Sequence, residues 1–155
     1  MKNLLQTLCG LFLVVFYSSC MNSGDNRVDV LIVGGGASGV TSGIQAARMG
    51  ANTLILEETT WLGGMLTSAG VSAVDGNYRL PAGLWGEFKN RLSDYYGGLD
   101  SLKTGWVSNV LFEPSVGNKI FHEMVSAEKN LKVWKQTRLE EVKRVGDEWI
   151  AKVNV

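Results

Sequence analysis

Gly34, Gly36 and Gly39 follow the largely apolar run Val28-Asp29-Val30-Leu31-Ile32-Val33. This G-x-G-x-x-G spacing suits one chemistry above others, the holding of a pyrophosphate by backbone groups. Gly34 permits a tight turn, Gly36 lets amides approach a phosphate, and Gly39 lets the next helix pack closely on the strand. A phosphate placed there meets the positive end of a helix. Glu57 lies about twenty residues further on, where an acid hydrogen-bonds both ribose hydroxyls of an adenosine and repels a 2′-phosphate. Glu58 beside it is a spare acid, and NADP is disfavoured.

Glycine-rich turns occur wherever backbone bends sharply, so the spacing needs supporting elements. The strand ahead of it is nearly all apolar, as a parallel strand covered on both faces should be. Val40 to Met49 reads as a helix, with Ala46 and Ala47 supplying propensity and Gly50 a C-cap. Thr53-Leu54-Ile55-Leu56 then reads as a second strand ending in Glu57, which completes a βαβ unit. Without the glycines upstream, Glu57 would be an ordinary solvated carboxylate at a strand end.

The chain continues Thr59-Thr60-Trp61-Leu62-Gly63-Gly64-Met65-Leu66-Thr67, with Ala69-Gly70-Val71 close behind. An acid followed by Leu-Gly-Gly resembles the extended dinucleotide-binding motif of FAD-dependent oxidoreductases with the glutathione-reductase-like fold. The resemblance is strong from Val28 to about Val71 and looser through Phe112-Glu113-Pro114 and the helix-strand unit after it. It implies an α/β domain with a Rossmann-like parallel sheet, FAD as cofactor and a small-molecule substrate whose hydride passes to the flavin. Residue by residue, it implies that Gly34, Gly36 and Gly39, with the amides of Gly35, Ala37 and Ser38, surround the FAD pyrophosphate. Glu57 would take the adenosine ribose, and Gly63, Gly64 and Met65 would run beside the pyrophosphate and ribityl chain. The end of the third strand, Thr137 to Leu139, would lend backbone groups to the adenine. Backbone lying against a ligand leaves no space for a Cβ, which is the expected reason for Gly63-Gly64; a flexible turn is the other.

The first residues bear on location. Met1-Lys2-Asn3 gives a positive start, Leu8 to Tyr17 a short apolar core and Ser18-Ser19-Cys20 a small-residue run, the pattern of a signal peptide over residues 1–20. The apolar stretch is shorter than the roughly twenty residues of a membrane span. Cys20 resembles the lipid-modified cysteine of a bacterial lipoprotein box, although Tyr17 departs from the usual leucine; a secreted protein cut nearby is the alternative. Either reading exports the protein to the periplasm or cell envelope, with residues 21–27 as a tether. Of the two cysteines, Cys9 lies inside the leader, so Cys20 has no mature partner for a disulfide or redox dithiol.

Fifteen basic and fifteen acidic residues balance, so nothing marks a nucleic-acid groove, and a membrane enters only through the lipid anchor. Ser72 to Leu80 reads as loop around Asp75-Gly76-Asn77. Gly83 to Leu92 reads as a helix with Leu84, Trp85, Phe88 and Leu92 on one face, closed by Tyr95-Tyr96-Gly97-Gly98. Its aromatics are assigned to the core. Asn118 to Lys129 reads as another helix, with Ile120, Phe121, Met124 and Val125 inward and His122 on the surface. No grouping has metal-ligand spacing.

Leu131 to Thr137 reads as the third parallel strand. Glu140 to Val145 and Glu148 to Val153 read as a hairpin around Gly146-Asp147, the start of a β-meander. The family adds a further parallel strand, which this sequence does not reach by Val155. Residues 28–155 are therefore expected to be the N-terminal portion of an FAD-binding domain, with one sheet edge open and the catalytic residues downstream. An NAD-dependent dehydrogenase, from the βαβ unit alone, and a non-catalytic surface lipoprotein that keeps the fold are the alternatives.

Overall fold

The computed structural model describes residues 26–76, 78–103 and 108–155. The leader, Cys20 and Asn77 lie outside the described residues, as does the tether before Asn26. Strands β1 (Val30–Val33), β2 (Thr53–Glu57) and β3 (Leu131–Lys135) form a parallel sheet in the order β1-β2-β3. In register, Val30 stands beside Thr53 and Thr53 beside Leu131. The central strand is buried at all five residues, which is why it reads Thr-Leu-Ile-Leu-Glu without alternation. The edge strand β1 has no neighbour on its far side among the described residues, and Val33 at its end is 56 % exposed.

Helix α1 (Ala37–Arg48) connects β1 to β2 and buries Val40, Gly43, Ile44 and Ala47. It starts three residues before the expected Val40. Ala37, Ser38 and Gly39 are its first turn rather than a loop before it, because Gly36 in extended backbone already serves as the N-cap. Gly43 is buried for a packing reason absent from the motif: a Cβ there would stand 2.7 Å from Ile55 Cδ1.

Helices α2 (Gly83–Tyr96) and α3 (Pro114–Ser126) complete the core. Pro114 sits in the first turn of α3, where its missing N–H costs nothing, so this helix also starts before the expected Asn118. Phe88 of α2 stacks on Phe121 of α3 at 4.4 Å and meets Phe112 edge-on at 5.5 Å. The expected inward faces hold, with one addition: Lys89 is buried beside Phe88. Arg48, in the last turn of α1, donates to Glu128 at 2.7 Å and to Glu87 at 2.9 Å, tying α1 to α2 and to the turn before β3. These carboxylates, the Glu128 hydrogen bond first, raise the Arg48 pKa.

Strand β3 ends at Lys135, two residues short of the expected Thr137, because Gln136 adopts a left-handed backbone (φ 53°) that no strand continues through. The expected hairpin follows as β4 (Arg138–Val145) and β5 (Glu148–Asn154), a separate two-stranded antiparallel sheet. Among the described residues no helix is long and apolar enough to cross a membrane.

Candidate functional site

The ends of β1, β2 and β3 point the same way, and a groove of about 390 Å³ opens beyond them. Val33, Gly34, Glu57, Glu58, Thr137 and Leu139 line it. Ligands of open parallel sheets bind outside the carboxyl ends of their strands. The structure thus brings together the glycine turn, the strand-end acids and the Thr137–Leu139 segment that the sequence resemblance marked separately.

Glu57 organises this end of the sheet. Its side chain belongs to a residue only 9 % exposed, and burying a carboxylate requires strong partners. The Gly35 N–H donates to Oε2 at 2.7 Å and the Thr59 N–H to Oε1 at 2.7 Å. The Thr137 N–H donates to the Glu57 carbonyl at 2.9 Å, which fixes the segment after β3. The Gly35 amide, expected beside the pyrophosphate, is therefore spent on Glu57. Each carboxylate oxygen keeps a second lone pair, so the acid still has acceptor capacity for hydroxyls. Glu58 is exposed, 3.8 Å from Arg138.

The amides that remain are those of the first turn of α1. Val40 is the first to bond back within the turn, to the Gly36 carbonyl at 2.9 Å. Ala37, Ser38 and Gly39 precede it; the helix has no side-chain cap and no acid in its first turn. Nothing there competes with an anion for the positive helix end. Gly34 has φ 98°, and a Cβ on Gly39 would collide with the Gly34 carbonyl oxygen, so strand and helix approach as the motif requires. Gly36 differs from both. Its backbone is ordinary, and a Cβ added to it would meet nothing within 4 Å.

Gly63 and Gly64 reach the same place from the other side. The Gly63 N–H donates to the Gly35 carbonyl at 2.8 Å, and Gly36 and Gly63 form a parallel bridge. Gly63 has φ 104°, and the space of its Cβ is taken by the Phe121 ring at 2.6 Å and Thr67 Cγ2 at 2.7 Å. Its glycine is thus required by backbone conformation and core packing, not by a ligand at the Cβ position. Gly64 and Met65 begin a short 3₁₀ turn (Gly64–Leu66) whose Met65 is 66 % exposed toward solvent.

Two residues that the sequence reading passed over hold this second segment. Asn118 of α3 accepts from the Leu62 N–H at 2.9 Å, and the Thr67 hydroxyl donates to the Leu62 carbonyl at 2.6 Å. No local motif announces the Asn118 contact, whose partner Leu62 is 56 residues away, whereas the Thr67 hydroxyl closes a turn only five residues long. His122, one turn position along from Phe121, is half-buried rather than on the surface. Burial, and after it the Lys135 charge, lower its pKa below the ordinary histidine value. Among the described residues no group of three His, Cys, Asp or Glu is placed to hold a metal.

An adenine dinucleotide fits these residues: Gly34 and the buried acid Glu57 with its spare acceptors line the strand-end groove, and the open Cβ position at Gly36 and the first-turn amides of α1 follow Gly34 directly in the chain. The sequence matches the family described as FAD dependent oxidoreductase over residues 29–155. No curated protein sequence matches it. Among solved structures the fold is similar to an aromatic hydroxylase of angucycline biosynthesis, CabE, at 15 % identity and TM-score 0.55, covering 83 % of this chain and 27 % of that one. It is also similar to the p-nitrophenol 4-monooxygenase PnpA of Pseudomonas putida DLL-E4, at 12 % identity and TM-score 0.52 over 80 % of this chain and 35 % of that one. The thioredoxin reductase of T. acidophilum matches at 21 % identity and TM-score 0.50, over 82 % of this chain and 31 % of that one. The chain therefore spans well under half the length of each. These likenesses establish the Rossmann-like fold, and the family match, which covers most of the sequence, establishes the cofactor as FAD: the chain belongs to the FAD dependent oxidoreductase family.

Proposed function

We propose that residues 28–155 form the adenosine- and pyrophosphate-binding portion of a flavin oxidoreductase that takes hydride from a small-molecule substrate. The observation that carries this reading is the linkage of two glycine segments to one buried acid that lines the strand-end groove, through Gly63 N–H to Gly35 O and Gly35 N–H to Glu57. The Ala37, Ser38 and Gly39 amides hold the pyrophosphate charge at the positive end of α1. Glu57, already fixed in place by two backbone donors, accepts from the ribose hydroxyls without having to be ordered on binding. Thr137 and Leu139 border the adenine, and Gly63, Gly64 and Met65 guide the chain that leads to the flavin. When bound, FAD supplies the hydride acceptor, and the protein supplies orientation and electrostatics. On the sequence of residues 1–20, the protein is exported and anchored through lipid at Cys20.

Titration of the chain with FAD, followed by quenching of flavin fluorescence, tests the reading, with NADP as competitor. Saturable FAD binding that excess NADP does not displace is expected, because Glu57 and Glu58 repel a 2′-phosphate. Preferential binding of NADP, or of neither nucleotide, would overturn it.

A further inference from the structure

A second groove, of about 470 Å³, lies between α2, the 3₁₀ turn Leu99–Leu102 and the segment Tyr78–Pro81. It shares no lining residue with the groove at the strand ends. Its volume is that of a small-molecule site. Its charge is one-sided. Arg79, Lys89 and Lys103 line it and no acidic residue does, although Asp100 nearby pairs with Lys103 at 2.8 Å.

Lys89 is the informative member. At 6 % exposure it is a buried cation, and among the described residues no carboxylate pairs with it. Its Nζ donates to the carbonyls of Tyr78 at 2.7 Å and Leu80 at 2.9 Å. An ammonium has three donors, so one remains, and although the Trp85 ring lies 5.9 Å from Nζ, a buried charge met by neutral carbonyls and an aromatic face still lacks a counter-charge. Arg79 is held over the Tyr78 ring at 5.4 Å, with its Nε donating to the Tyr78 hydroxyl at 3.1 Å. That arrangement leaves the rest of its guanidinium for an anion. Leu99, Leu102 and Val110 supply apolar wall between the cations.

We propose that this groove binds the anionic group of a small molecule, a carboxylate or phosphate carried on a compact apolar body, with Lys89 as its buried counter-charge. The inference stands apart from the FAD reading, since neither groove needs the other to be filled. The test is calorimetric titration of the full chain with inorganic phosphate and, separately, with succinate, at an ionic strength held constant with sodium chloride. Saturable one-to-one binding of at least one probe is expected, phosphate alone or succinate alone assigning the source. The exposed double variant Arg79→Gln/Lys103→Gln should weaken it at least roughly tenfold while leaving the unfolding midpoint unchanged. Lys89→Met should abolish it, but that change also removes two loop contacts, so the exposed pair decides. Absence of saturation by either probe up to about 50 mM, or retention of affinity in the double variant, would overturn the proposal.

Discussion

At Gly36 an added Cβ would meet nothing within 4 Å, whereas at Gly63, bridged to it across the site, the same atom would enter the Phe121 ring at 2.6 Å. The first glycine segment meets the groove at Gly34, and its middle residue, Gly36, is small although the protein itself leaves room for more. The second lies on the aromatic core of α2 and α3, and its glycine is small because the protein leaves no room. One residue type thus marks a ligand-facing position and a packing position only a hydrogen bond apart. The difference teaches that glycine in a cofactor loop has to be assigned by what occupies its missing Cβ.

The largest effect should come from Gly39→Val, which forces a branched side chain into the Gly34 carbonyl oxygen. A loss of about 3 kcal/mol or more is expected in denaturant unfolding, with FAD binding lost as a consequence. Gly63→Ala should cost about 2 kcal/mol, from the left-handed backbone and the Phe121 contact together. Adding Phe121→Leu should return part of that loss if packing sets the requirement. A double variant no better than the simple sum would remove packing from the comparison.

Glu57→Gln leaves an amide that offers one acceptor oxygen for two backbone donors, Gly35 N–H and Thr59 N–H. A stability loss of about 1–2 kcal/mol is expected, with weaker FAD binding on top of it. Unchanged unfolding would mean that the carboxylate does not organise the strand ends. The smallest effect concerns α3, which carries the Phe121 and Asn118 contacts to the second segment. His122 has a depressed pKa in the folded chain, so the unfolded chain takes up the proton first and stability falls as pH drops below about 6.5. His122→Gln should flatten that fall in a series of thermal melts from neutral to acid pH.

Much of the fold was legible because local chemistry and global architecture agree. The unbroken apolar run of β2 announced a central strand, and Gly146-Asp147 announced the two-residue turn between β4 and β5, with Gly146 at φ 62°. The glycine motif announced the groove, yet not the division of labour inside it. Gly35 was legible as part of the turn, but its bond to Glu57 joins residues 22 apart and has no local pattern. The start of α1 was missed because glycine and serine at 38–39 look like loop, while first-turn positions tolerate both. Lys89 and Asn118 were invisible for a related reason. Lys89 meets carbonyls of the loop just before its helix and Asn118 an amide 56 residues away, and a lysine or asparagine on a helix otherwise reads as solvated surface.

The most direct test measures FAD affinity and unfolding midpoint together for the parent chain and Gly36→Ala. Because the position is open and its backbone ordinary, stability should stay within about 0.5 kcal/mol while affinity falls at least roughly tenfold. Unchanged affinity, or a loss of affinity matched by a loss of stability, would contradict the assignment of Gly36 to the pyrophosphate.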